Sequence, residues 1–200
     1  MNSPVGEPKT CPSARERIRD AYGLDWAGFS AALRATPPGN GGRLMLPWFE
    51  PEIVPKAPGG GPRRIGLAPA DTAANCRAVV EGQLLSMRLH SAWMGEPPRR
   101  IYATGGASRN RDLLRVMADV FQTPVYPFEQ SNSAALGAAA RAAFVARQQR
   151  GAPVSWRELA AAIARPDEAG RLAPDPATAA VYDALLQKYA DAETAALRAD

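Results

Sequence analysis

The stretch from Ile101 to Pro127 constrains this chain more than any other. Ile101-Tyr102-Ala103 is a short apolar run with β character, and Thr104-Gly105-Gly106-Ala107-Ser108 reads as a turn. Asn110 then opens a helix whose apolar positions are Leu113, Leu114, Met117, Val120 and Phe121. Pro124-Val125-Tyr126-Pro127 follows as a second short strand. After it, Asn132 or Ser131 caps an alanine-rich helix over residues 133–149. The order is strand, helix, strand, helix, with strands short and apolar enough to be parallel and buried. That pattern predicts an α/β architecture.

The flanking segments carry clear punctuation. Pro12-Ser13 opens a helix that runs to Tyr22 and stops at Gly23. Asp25 caps a second helix with Trp26, Phe29, Ala32 and Leu33 on one face. The run Thr36-Pro37-Pro38-Gly39-Asn40-Gly41-Gly42 is a strong breaker. Residues 43–49 read as an edge strand or extended segment, residues 50–64 as a surface loop, and Ile65–Ala68 as a brief strand. From Asp71 to Trp93 the spacing predicts a long helix. Its stripe of Cys76, Val80, Leu84 and Met87 is widened by Val79, Leu85 and Leu89. So broad a stripe calls for burial on two sides, one of them expected to face a domain absent from the chain. Gly82 sits in the middle of that helix at a cost of about 1 kcal/mol against alanine, which a closely packed neighbouring backbone would explain. Trp48 and Trp156 read as core or interface aromatics. Residues 156–164 and 176–197 are helical, and residues 1–11 form a polar, flexible lead-in.

Composition narrows the function classes. With 200 residues, the chain is one domain, or one compact domain with helical extensions. The 24 Lys and Arg outnumber 20 Asp and Glu, but the positives are scattered, so no nucleic-acid partner is implied. The weak positive bias suits an anionic ligand without requiring one. Cys11 and Cys76 lie far apart and His90 is the single histidine, which argues for reduced thiols and against a structural zinc or other metal site. No run reaches the ~18 apolar residues of a membrane span, and residues 1–9 lack an apolar signal core. The cytoplasm is the expected location.

Only the strand–Gly-Gly–helix turn has chemical promise. Paired glycines let backbone approach a ligand without Cβ clashes and allow positive φ. The next helix offers free N–H groups and a positive dipole end, which favour phosphate or another anion. Two readings stand on this evidence alone: an anion-binding turn, or a tight βα turn with no ligand. The pattern is neither GxGxxG nor a Walker loop.

The segment Ala103-Thr104-Gly105-Gly106-Ala107-Ser108-Arg109-Asn110, with its flanks to Tyr126, resembles the adenosine-motif region of the FGGY carbohydrate kinases. Within that family it is most similar to the xylulokinases of the animal type. Arg77-Ala78-Val79-Val80-Glu81-Gly82-Gln83, Asn132-Ser133-Ala134-Ala135-Leu136-Gly137-Ala138 and Gly39-Asn40-Gly41-Gly42 match further segments, so the likeness runs over about residues 12–190. The resemblance implies one actin-like (RNase H-like) ATPase lobe with additional C-terminal helices. Residues 12–38 would end the lobe connection, 39–150 form the nucleotide-binding lobe, and 151–200 pack on it as helices. It implies ATP or ADP with Mg2+ as ligand, held at Gly105, Gly106, Ala107 and Asn110. Trp26 falls at an aromatic position near the adenine, where it would either stack on the purine or serve as a core aromatic. Glu81 and Gly82 read as packing residues.

The sequence also departs from the family. Where the family usually carries His or Asn with a neighbouring Glu, this chain has Ala70-Asp71-Thr72-Ala73-Ala74-Asn75, and its 55–62 loop is short. No Asp-x-Gly-Thr phosphate loop occurs in the sequence. In this family that loop and the base on the sugar hydroxyl belong to the first domain. The chain is therefore expected to be an inactive fragment with no catalytic residue of its own. With the other lobe present, the enzyme would phosphorylate D-xylulose to D-xylulose 5-phosphate. The alternatives are a non-catalytic adenine-nucleotide-binding module or a related FGGY kinase acting on another sugar.

Overall fold

A computed structural model of the chain describes residues 13–128, 132–163 and 165–199. The expected lead-in over residues 1–11, Cys11 included, lies outside them. The chain divides into two units, Met1–Ser86 with Gln187–Asp200 and Met87–Leu186.

In the first unit, α1 (Ala14–Ala21) starts where Ser13 and Glu16 form a reciprocal capping box, the Glu16 carboxylate accepting from Ser13 N–H at 2.6 Å. Helix α2 (Trp26–Ala35) starts at Asp25, whose carboxylate accepts from Gly28 N–H at 2.7 Å, and buries Phe29 and Leu33. The breaker becomes a tight turn in which Gly39, Asn40, Gly41 and Gly42 all hold positive φ. Asn40, the non-glycine among them, is fully buried and donates through Nδ2 to Ala74 O at 2.9 Å. Strand β1 (Leu44–Leu46) is entirely buried and pairs antiparallel with β2 (Arg63–Ile65). This second strand begins earlier than expected, because Arg63 and Arg64 have partners outside the ladder. Arg64 Nε donates to Asn75 Oδ1 at 2.7 Å, and Arg63 lies over the ring of the buried Trp48.

Helix α3 (Thr72–His90) starts at Asp71, which accepts from Ala74 N–H, and stops three residues short of the expected Trp93. Every residue from Ala74 to Gly82 is buried in the folded chain, so no side of this stretch is left for an absent domain. The apolar stripe opens to solvent at Met87. Inside α3, the buried pair Arg77–Glu81 closes at 2.7 Å. Arg77 Nη1 donates to the carbonyls of Leu33 and Thr36, and Glu81 Oε1 also accepts from Gly39 N–H at 2.9 Å. Glu81 therefore organises polar groups, a larger role than packing. Gly82 is the packing residue: a Cβ there would lie 2.2 Å from Met45 O, so β1 runs directly against the helix backbone.

In the second unit, β3 (Ile101–Ala103) and β4 (Val125–Pro127) pair in parallel, Tyr102 opposite Tyr126, with α4 (Arg111–Phe121) as the crossover. On the other edge of β4, Val125 and Leu172 exchange N–H···O bonds of 3.0 and 2.9 Å. Helix α4 buries Leu113, Leu114 and Val120 as expected, but Val116, Ala118 and Asp119 in place of Met117 and Phe121. The reason is a second packed side. Arg115 donates to Ala173 O, and Asp119 Oδ1 accepts from Asp175 N–H at 2.8 Å. Asn132 caps α5 (Ser133–Gln149), and Trp156 at the start of α6 (Trp156–Ile163) stacks on Phe144 with centroids 4.4 Å apart. Helix α7 (Ala179–Ala199) ends the described chain. Among the described residues, no helix is long and apolar enough to cross a membrane.

Gly82→Ala should destabilise the chain by about 1–3 kcal/mol, the usual cost of overpacking, although alanine is the better helix former. Urea unfolding of both proteins measures the difference.

Candidate functional site

The turn between β3 and α4 is built by three local constraints. Gly105 holds φ 83° and ψ −174°, a conformation that only glycine adopts readily. A single 3-10 turn, Gly106–Arg109, follows, and Ser108 N–H donates to Gly105 O at 3.2 Å. Asn110 then caps α4, its Oδ1 accepting from Leu113 N–H at 3.0 Å.

These constraints separate the two glycines. The fold requires Gly105. It does not require Gly106, which lies outside the positive-φ region and where an added Cβ would meet no atom within 4 Å. Gly106 is exposed, and among the described residues neither its N–H nor that of Ala107 donates to a backbone or side-chain acceptor. Two N–H groups at the start of the 3-10 turn therefore have no acceptor among the described residues, with the exposed Arg109 and Arg111 close by in sequence. That arrangement favours an anion.

The structure gathers Gly105, Gly106, Ala107 and Asn110 into this one turn. Trp26 belongs to the other unit, at the first position of α2. It is 44% exposed, so it is not a core aromatic. Its indole carries the Arg19 guanidinium at 4.5 Å and meets the Phe29 ring edge-on at 5.6 Å. Sequence reasoning gave Ser108 no role. Its buried hydroxyl donates to Gly105 O at 2.7 Å. The readable signal was a serine three residues after a glycine in a turn, where its hydroxyl can reach back to the i−3 carbonyl. Cys76, the one thiol among the described residues, is buried, and burial pushes its pKa up to about 11.

Residues 9–146 match the FGGY family of carbohydrate kinases, C-terminal domain. The chain belongs to the FGGY family of carbohydrate kinases. Xylulose kinase of Rattus norvegicus is 37% identical to it over 188 residues, covering 90% of this chain and 34% of that protein. Among solved structures, xylulose kinase from Rhodospirillum rubrum superposes with a TM-score of 0.73 at 30% identity, covering 92% of this chain and 37% of the other. The ligand-bound xylulose kinase from Lactobacillus acidophilus gives a TM-score of 0.77 at 23% identity, covering 91% and 37%, and attests the fold alone. This FGGY chain has the α/β, actin-like ATPase fold expected from its sequence. It spans about a third of the length of the curated relatives it matches.

Asn110→Ala should cost about 1 kcal/mol of stability through loss of the cap, whereas Asn110→Asp, an equally good cap, should stay within about 0.5 kcal/mol of wild type. Denaturant unfolding of the three proteins checks this.

Proposed function

We propose that this chain is the nucleotide-binding part of an ATP-dependent xylulokinase, which phosphorylates D-xylulose to D-xylulose 5-phosphate together with a lobe that holds the sugar. The observation that carries the reading is Gly106: a glycine for which the described residues give no steric or conformational reason, whose N–H and that of Ala107 have no acceptor among the described residues, in a chain 37% identical to a xylulose kinase. In this reading the N–H groups of Gly106 and Ala107 hold phosphate or ribose, and Gly105 gives the turn its shape. Asn110 contacts the nucleotide from the start of α4.

The chemistry divides accordingly. Phosphoryl transfer is mainly positioning plus electrostatic stabilisation of the transferring group. This chain supplies the nucleotide's end of that arrangement. No catalytic base is assigned to it, since its sequence contains no Asp-x-Gly-Thr loop. Among the described residues no three His, Cys, Asp or Glu converge as metal ligands. In this reading Mg2+ would be held through the phosphates of the nucleotide and by groups of the other lobe, and would supply neutralisation of the charge that develops on the phosphoryl group.

Gly106→Val tests the reading. The Cβ of a side chain at 106 meets none of the described residues within 4 Å, so stability should hold within about 0.5 kcal/mol. The same side chain would collide with a bound nucleotide. Calorimetric titration should show ADP affinity reduced at least tenfold, about 1.4 kcal/mol. A folded Gly106→Val chain that binds ADP as wild type does would reduce the turn to a structural element.

A further inference from the structure

We infer that Ser108 is a positioning residue for the nucleotide turn, fixing the direction in which the Gly106 N–H points; the inference rests on the nucleotide reading of that turn. Two donors from one residue converge on one oxygen. Ser108 N–H reaches Gly105 O at 3.2 Å, and the Ser108 hydroxyl reaches the same oxygen at 2.7 Å. A carbonyl has two lone pairs, and Ser108 supplies a donor for each.

The consequence lies in the peptide unit. The carbonyl of Gly105 and the N–H of Gly106 are opposite ends of one planar trans peptide. Turning the carbonyl inward to Ser108 turns the N–H outward, to the side where no acceptor of the described chain meets it. This peptide needs such a clamp because glycines flank it on both sides. Neither has a Cβ to restrict rotation, so a Gly-Gly peptide can flip between orientations that other residues exclude. A flipped peptide would present a carbonyl oxygen, which repels phosphate, in place of a donor.

The backbone bond alone closes the 3-10 turn, and any residue at 108 can make it. The hydroxyl adds the second anchor from a residue that is itself buried. Ser108 therefore acts on the nucleotide through the Gly105–Gly106 peptide, by setting donor orientation before the ligand arrives. Such preorganisation raises affinity by lowering the ordering cost of binding.

The experiment is titration of ADP and of adenosine into the wild-type, Ser108→Ala and Gly106→Val chains, with circular dichroism melts of each. Ser108→Ala should retain a cooperative melt and bind ADP about fivefold more weakly, the value of one hydrogen bond. Its adenosine affinity should not change, because a donor turned outward at Gly106 meets a phosphate oxygen, which adenosine lacks, whereas a purely structural loss would weaken both ligands alike. Wild-type ADP affinity in Ser108→Ala beside a weakened Gly106→Val would overturn the role of Ser108 and leave the nucleotide reading standing. Wild-type affinity in both variants would remove both, and equal losses for ADP and adenosine would overturn the orienting role. Hydrogen exchange in the wild-type chain gives a test independent of any variant. The Gly106 amide should exchange freely without nucleotide and slow when ADP is added. An amide already protected before ADP would contradict the outward orientation.

Discussion

The first unit depends on one buried ion pair. Arg77 and Glu81 lie one turn apart on α3, both nearly inaccessible to solvent, and close at 2.7 Å. Taking two charges out of water is costly, and hydrogen bonds to each charge offset part of that cost. Here those bonds come from elsewhere in the chain: Arg77 reaches the last carbonyls of α2, and Glu81 Oε1 takes the N–H of Gly39 at the head of the left-handed turn. The pair thereby fixes where α2 ends, how the turn at 39–42 sits, and the point at which β1 begins. Gly82 completes the arrangement by letting β1 pass directly over the helix backbone. Losing one partner of such a pair costs about 3–5 kcal/mol, because the other charge is left buried.

The second unit solves a different problem, holding donors open at a strand end. A parallel two-stranded core with α4 as its crossover ends β3 at the mouth of the turn, and the Asn110 cap starts α4 six residues after Thr104 without further loop. Within that short span the fold consumes the carbonyl of Gly105 and the Oδ1 of Asn110, and leaves the N–H groups of Gly106 and Ala107 without acceptors among the described residues. Unmet donors at a helical N-terminus are the chemistry that an anionic ligand completes.

Local chemistry made much of this legible. Ser13, Asp25, Asn110 and Asn132 cap the helices that their positions announce, and the strand–turn–helix–strand order around Gly105 stands as read. What stayed hidden depends on groups distant in sequence. Nothing near Arg63 and Arg64 shows that Trp48 and Asn75 will hold them in a strand. Asp119 looks like a surface position of α4 until Asp175 arrives at its carboxylate. Glu81 looks like a helix residue of no special kind until Gly39 comes under it. Trp26 was readable as an aromatic with two fates, but its Arg19 partner lies in another helix and gave no periodic signal. In the site itself, sequence could place both glycines but could not separate them. Only the backbone angles and the open space around Gly106 show that one serves the fold and the other does not.

The most direct test of the central claim is an NMR titration of the uniformly 15N-labelled chain with ADP. The account predicts that the amides of Gly106 and Ala107 show the largest saturable shifts, with smaller ones through Asn110. Saturable shifts confined to other parts of the chain, with residues 105–110 unmoved, would contradict it.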